Sequence, residues 1–84
     1  MKPDNSVRPD DRKITLQPRV ALSVRQLETL RHVARGKGNK VIALDMGVSE
    51  QTVKNQLWQA YRKLDVQGRV QALLALDNLT PGWR

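Results

Sequence analysis

The sequence has no cysteine and no phenylalanine, and only one histidine and one tyrosine. Without cysteine, disulfides and thiolate metal sites are excluded, and His32 alone cannot build a zinc site. No apolar run approaches the roughly 20 residues of a membrane-spanning helix, so no membrane partner is expected. The opening stretch, MKPDNSVRPDDRK, lacks the apolar centre of a secretory signal, which makes the cytoplasm the expected location. Nothing pairs His32 with a nucleophile, no two carboxylates lie close on one face, and no glycine-rich phosphate loop follows a strand. Neither an enzyme nor a cofactor is therefore expected. Acids are scarce as well: 8 against 15 Lys and Arg, a formal net charge of +7 over 84 residues. That imbalance favours a polyanionic partner, most simply nucleic acid, because each phosphate contact releases counterions. The blander alternative is a soluble basic domain whose charge bears only on solubility and association.

What remains is enough for one domain with a small core. With so few aromatics, the core must be built from Leu, Val, Ile and Ala, which suits packed helices. Residues 1–21 read as a flexible arm or linker. Pro3, Pro9 and Pro18 interrupt any helix, and only Ile14 and Leu16 offer apolar surface for local packing before Val20. A leader without fixed structure fits that composition; a basic arm touching DNA phosphates or a partner is the functional alternative.

Ser23 opens the first helix. Gln26, three residues on, completes a Ser-x-x-Gln capping box, and Leu22 with Leu27 has the spacing of a hydrophobic staple. Leu27, Leu30, Val33 and Ala34 form its buried stripe. Arg31 and Arg35 suit its C-terminal end, and Gly36 suits a left-handed cap. His32 falls on the solvent side as an ordinary surface residue. Asn39 is expected to cap a short second helix, Lys40 to Met46, with Ile42, Ala43 and Met46 inward. Asp45 is either exposed or tied to a nearby base.

The stretch GVSEQTVKNQLWQAYRKL, Gly47 to Leu64, organises the rest. Gly47 supplies a tight turn, Ser49 a helix cap, and Val48 with Val53 a second staple. Val53, Leu57, Ala60 and Leu64 recur at helical spacing. Opposite them lie Gln51, Lys54, Asn55, Trp58 and Arg62, a face rich in hydrogen-bond donors with no acid beyond Glu50. A fourth helix covers about Arg69 to Asn78. Its Val70, Leu73, Leu74 and Leu76 exceed what one buried face needs, so part of the helix closes the core and the remainder offers a self-association seam. Pro81 ends that helix, and Trp83 folds back on the domain.

Capped helix, short helix, Gly-Val turn and Ser-capped helix together make a helix-turn-helix. The run from Leu22 to about Leu76 closely resembles the four-helix DNA-binding domain of the LuxR/FixJ (GerE-like) regulators. The matching points are Leu22-Ser23 before Arg25, Asn39-Lys40, Ile42-Ala43, Gly47-Val48-Ser49, Thr52-Val53-Lys54 and Arg62-Lys63-Leu64. The resemblance implies an all-α fold of four helices, with residues 1–21 as a flexible arm, 22–79 as the DNA-binding domain and 80–84 as a tail. It also implies a transcription regulator that binds double-stranded DNA, with 49–64 as recognition helix. Lys54, Asn55 and Trp58 would face base edges, and Gln51, Thr52, Arg62, Lys63 and Lys40 would lie near phosphates. The fourth helix, 69–78, would form a homodimer seam through Val70, Leu73, Leu74 and Asp77.

This sequence departs from the family's pattern at three points. Gln26 replaces a usual Glu, removing an acid that would anchor a basic residue of the recognition helix. Gln56 stands where His is common, and Trp58 is bulky for a groove position. With no receiver or ligand-sensing region expected ahead of the helices, regulation is expected through abundance, a partner or a separate chain. The competing reading keeps the scaffold but makes it a protein-interaction module, an anti-activator or co-regulator that docks on RNA polymerase or another regulator through Trp58 and the fourth-helix leucines.

Overall fold

The computed structural model describes residues 13–17 and 20–84. The expected arm's residues 1–12 and 18–19 lie outside the described residues, as does the packing expected of the Ile14 and Leu16 side chains. Two antiparallel strands come first, β1 (Lys13–Gln17) and β2 (Val20–Ser23). Four helices follow: α1 (Val24–Ala34), α2 (Asn39–Met46), α3 (Glu50–Leu64) and α4 (Arg69–Leu79). The four expected helices are all present. The strand pair was not anticipated: Lys13-Ile14-Thr15-Leu16-Gln17 alternates polar and apolar residues as a strand does, but the prolines on either side and the few apolar residues of the arm pointed to a leader without fixed structure. What anchors β2 is Leu22, which is wholly buried at the head of α1.

The capping chemistry works as its spacing suggests. Ser23 caps α1 with a complete box: its Oγ accepts from the Gln26 N–H, and Gln26 Oε1 accepts from the Ser23 N–H, both at 3.0 Å. Ser49 caps α3 by accepting from the Thr52 N–H at 3.0 Å. Gly47 ends α2 in the left-handed region, φ 70°, where a side chain would be strained.

One cap was misassigned. Asn39 is the first residue of α2, not its cap; Gly38 holds that position and makes no side-chain cap bond. The Asn39 Oδ1 is instead engaged at 2.9 Å by the Arg69 guanidinium, whose other arm donates to the Lys37 carbonyl. One arginine thus ties the start of α4 to the start of α2.

Leu22, Leu27, Leu30, Val33, Ile42, Ala43, Val53, Leu57, Ala60, Leu64, Ala72 and Leu76 make one core. Each fully buried Leu, Ile or Val contributes roughly 1.5–3 kcal/mol of transfer free energy. Helix α3 packs against α1, α2, α4 and β2, so it is the central element. Trp83 joins this core from the C-terminal segment, as expected of it. Its indole N–H donates to Asp77 and its carbonyl accepts from Arg31 Nε, both at 2.9 Å.

Candidate nucleic-acid interface

Helix α3 divides cleanly. Val53, Leu57, Ala60 and Leu64 are buried, while Gln51, Lys54, Asn55, Trp58, Gln59, Arg62 and Lys63 are exposed. Helical geometry sorts the exposed residues into two i, i+4 rows. Lys54, Trp58 and Arg62 make one row, in which the Arg62 guanidinium lies 4.8 Å from the centre of the Trp58 ring. Trp58 is 59% exposed. The exposed indole is therefore stacked by a cation from its own row.

Gln51, Asn55, Gln59 and Lys63 make the other row. Gln51 Nε2 donates to Asn55 Oδ1 at 3.1 Å. Farther along, Gln59 and Lys63 are tied to α1 through Gln26, which is only 4% exposed. Gln26 Nε2 donates to Gln59 Oε1 at 2.9 Å, and Lys63 Nζ donates to Gln26 Oε1 at 3.0 Å. The expectation that an amide at position 26 gives up the anchor for a basic residue is thus corrected: its carbonyl oxygen receives the Lys63 ammonium. Neither Gln26 nor Gln59 figured among the expected site residues. The available signal was Gln59's place midway between Asn55 and Lys63 in one row.

The remaining expected contacts fall at several places. Lys40 is exposed on α2. Thr52 is half-buried, and its hydroxyl accepts from Ser49 Oγ at 3.0 Å. Gln56 turns inward: it is half-buried, and its Oε1 has no donor within reach among the described residues. Beside the first row, Asn39, Lys54, Trp58, Tyr61, Gln67 and Arg69 line a cleft between α2, α3 and the start of α4. Burial raises the Tyr61 hydroxyl above its ordinary value, with Arg69 pulling the other way, so Tyr61 enters that cleft as a neutral donor.

Of the four residues expected in a fourth-helix seam, Val70 and Leu74 are exposed, at 63% and 57%. Leu73 is half-buried against the core. Asp77 is engaged within the chain, by the Trp83 indole N–H and by Nε and Nη2 of Arg84. Asp45 pairs with Lys37 at 2.6 Å, and Lys37 Nζ also lies 3.1 Å from His32 Nδ1. No helix among the described residues is long and apolar enough to cross a membrane.

Comparison with known proteins gives this arrangement a family. Residues 20–76 match the family described as bacterial regulatory proteins, luxR family. The spore germination protein GerE of Bacillus subtilis (strain 168) is 37% identical over 60 residues, covering 71% of this chain and 81% of GerE. A solved structure of the transcription factor GerE superposes with a TM-score of 0.70 at 32% identity, covering 81% of this chain and 94% of that one. The transcriptional regulatory protein YdfI of Bacillus subtilis (strain 168) is 40% identical over 65 residues, 68% of this chain. This chain spans only 30% of the length of YdfI. With its four helices and their order matched over most of the sequence, the chain belongs to the luxR family of bacterial regulatory proteins, as a helix-turn-helix domain of DNA-binding transcription regulation.

Proposed function

We propose that the domain reads double-stranded DNA in a sequence-specific way, with α3 in the major groove and two chains acting as a dimer through α4. The observation that carries the reading is the division of α3. Its apolar stripe is buried against its neighbours, and its exposed face carries seven polar, basic or aromatic residues with Glu50 in the first turn as the one acid. A major groove admits one helix, and the N-terminal half of that helix meets base edges. Lys54 and Asn55 occupy that stretch, and Trp58 follows one turn after Lys54. Lys54 suits the O6 and N7 acceptors of guanine, Asn55 pairs bidentately with adenine, and the Trp58 ring covers a thymine methyl. To pair with adenine, Asn55 exchanges its bond from Gln51 for bonds to the base. Gln51, Thr52, Arg62, Lys63 and Lys40 serve phosphates around this strip. Val70 and Leu74 supply the apolar seam, with Leu73 beneath them and Asp77 at its edge.

A second reading has its own support. Val41 and Leu44 on α2, at 46% and 75% exposure, add to Val70, Leu74 and Trp58 as apolar surface, and such surface marks protein contacts. On that reading the partner is RNA polymerase or another regulator. Titration of labelled random and selected duplexes at two salt concentrations separates the two. DNA recognition gives tight binding to the selected duplex that falls steeply with salt. An absence of salt-sensitive binding to either duplex rejects DNA recognition in favour of the protein partner.

A further inference from the structure

Gln26 is 4% exposed and bonded from α1 to α3, and its bonds fix the direction of two amides. Its carbonyl side meets the Ser23 N–H and the Lys63 ammonium. Both groups only donate, so the atom facing them is the oxygen, and the Gln26 amide has one orientation. Its NH2 therefore points at Gln59, and the Gln59 atom that receives it, 2.9 Å away, is the oxygen. The Gln59 NH2 is left directed away from the core on an exposed residue. Beside it, Arg62 and Lys63 complete a notch in the C-terminal half of α3. The polar groups that Arg62 and Lys63 bring to this notch are donors only.

From this we infer that Gln59 is a DNA-contacting residue, a neutral donor to a backbone phosphate, and that buried Gln26 is the positioning residue that holds its NH2 outward. The inference rests on the DNA reading above. A phosphate is favoured over a base because Gln59 follows the last residue assigned to a base edge and shares its notch with Arg62 and Lys63. Its amide neighbours are two cations in a site that offers only acceptors a fit. Gln26→Glu isolates the device. A carboxylate accepts from Ser23 and Lys63 as before, and Ser-x-x-Glu is an equally good capping box. A carboxylate cannot donate to Gln59, however, so the Gln59 amide turns over and presents its oxygen to the phosphate.

The test is a double-mutant cycle on binding to a duplex selected from a random pool and to an unrelated duplex, with melting followed in parallel. Gln59→Ala weakens both duplexes by about tenfold, the loss of one hydrogen bond to a charged acceptor. It leaves the salt slope unchanged, because a neutral amide displaces no counterion. Arg62→Ala, by contrast, lowers that slope by about 1. Gln26→Glu weakens binding about tenfold in the parent but only about twofold when Gln59 is already Ala, the signature of coupled residues. An equal cost of Gln26→Glu in both backgrounds overturns the positioning role. A Gln59→Ala loss confined to the selected duplex overturns the phosphate assignment in favour of a base contact. Failure of the parent to bind any duplex in a salt-sensitive way defeats the DNA reading itself, an outcome distinct from additivity in the cycle.

Discussion

Helices α3 and α4 are neighbours in the chain, and both leave a face uncovered, yet the two faces have opposite chemistry. Helix α3 buries four apolar residues and exposes a donor-rich surface whose one acid, Glu50, sits in the first turn. Helix α4 buries only Ala72 and Leu76 and exposes Val70 and Leu74. Apolar surface left uncovered by the fold marks a protein contact, whereas a donor-rich cationic face marks an anionic ligand. On this account one small domain separates its two tasks by helix, with DNA on α3 and a second copy of the chain on α4.

The comparison breaks most severely if the buried side of α3 is cut. Leu57→Ala should cost about 2–5 kcal/mol of stability by denaturant unfolding; a loss below about 1 kcal/mol would mean that α3 is not the central element. On α4, Leu74→Glu should weaken self-association by about 3 kcal/mol, as an unpaired charge in an apolar seam does. Sedimentation analysis showing unchanged association would remove α4 from the interface. On the outer face of α3, Lys54→Ala and Asn55→Ala should each lose about 1–3 kcal/mol of sequence preference. Equal binding of both variants and parent to a selected duplex would refute the groove assignment.

The C-terminal anchor of α4 gives a smaller effect. Hydrogen bonds from Arg84, and then from Trp83, hold the Asp77 carboxyl below its ordinary value of 3.8. A depressed carboxyl stabilises the fold above the unfolded value and loses that contribution as pH falls through the folded value. In a Trp58→Phe background, where Trp83 is the sole indole, its fluorescence should hold steady at neutral pH and shift towards that of an exposed ring only below about pH 4. A transition near neutrality would contradict the contact. The smallest effect concerns Gln56. With no donor for its Oε1 among the described residues, Gln56→Met should be neutral or add up to about 1 kcal/mol of stability. A clear loss in melting temperature would mean that the oxygen is in use.

Much of this was legible before any coordinates. The 3.6-residue spacing of Val53, Leu57, Ala60 and Leu64 and the caps at Ser23 and Ser49 are local signals, and local signals survive folding. What was not legible depends on contacts between distant residues. Asn39 looked like a cap because Asn is a good one; only the approach of Arg69 from α4 shows its oxygen to be taken. Gln26 looked like a lost anchor because an acid was the expected partner of a base, and the fold shows that an amide oxygen suffices. Strand β1 carries a short period-2 alternation, Lys13 to Gln17, but its partner becomes visible only once Leu22, opposite Ile14, is seated in the core.

The central claim is that the outer face of α3 reads DNA. Selection of bound duplexes from a random pool, with stoichiometry measured on the winner, tests it most directly. The account predicts enrichment of two related half-sites about one helical turn apart, occupied by two chains. A pool that remains unenriched, with no salt-sensitive binding, would contradict it.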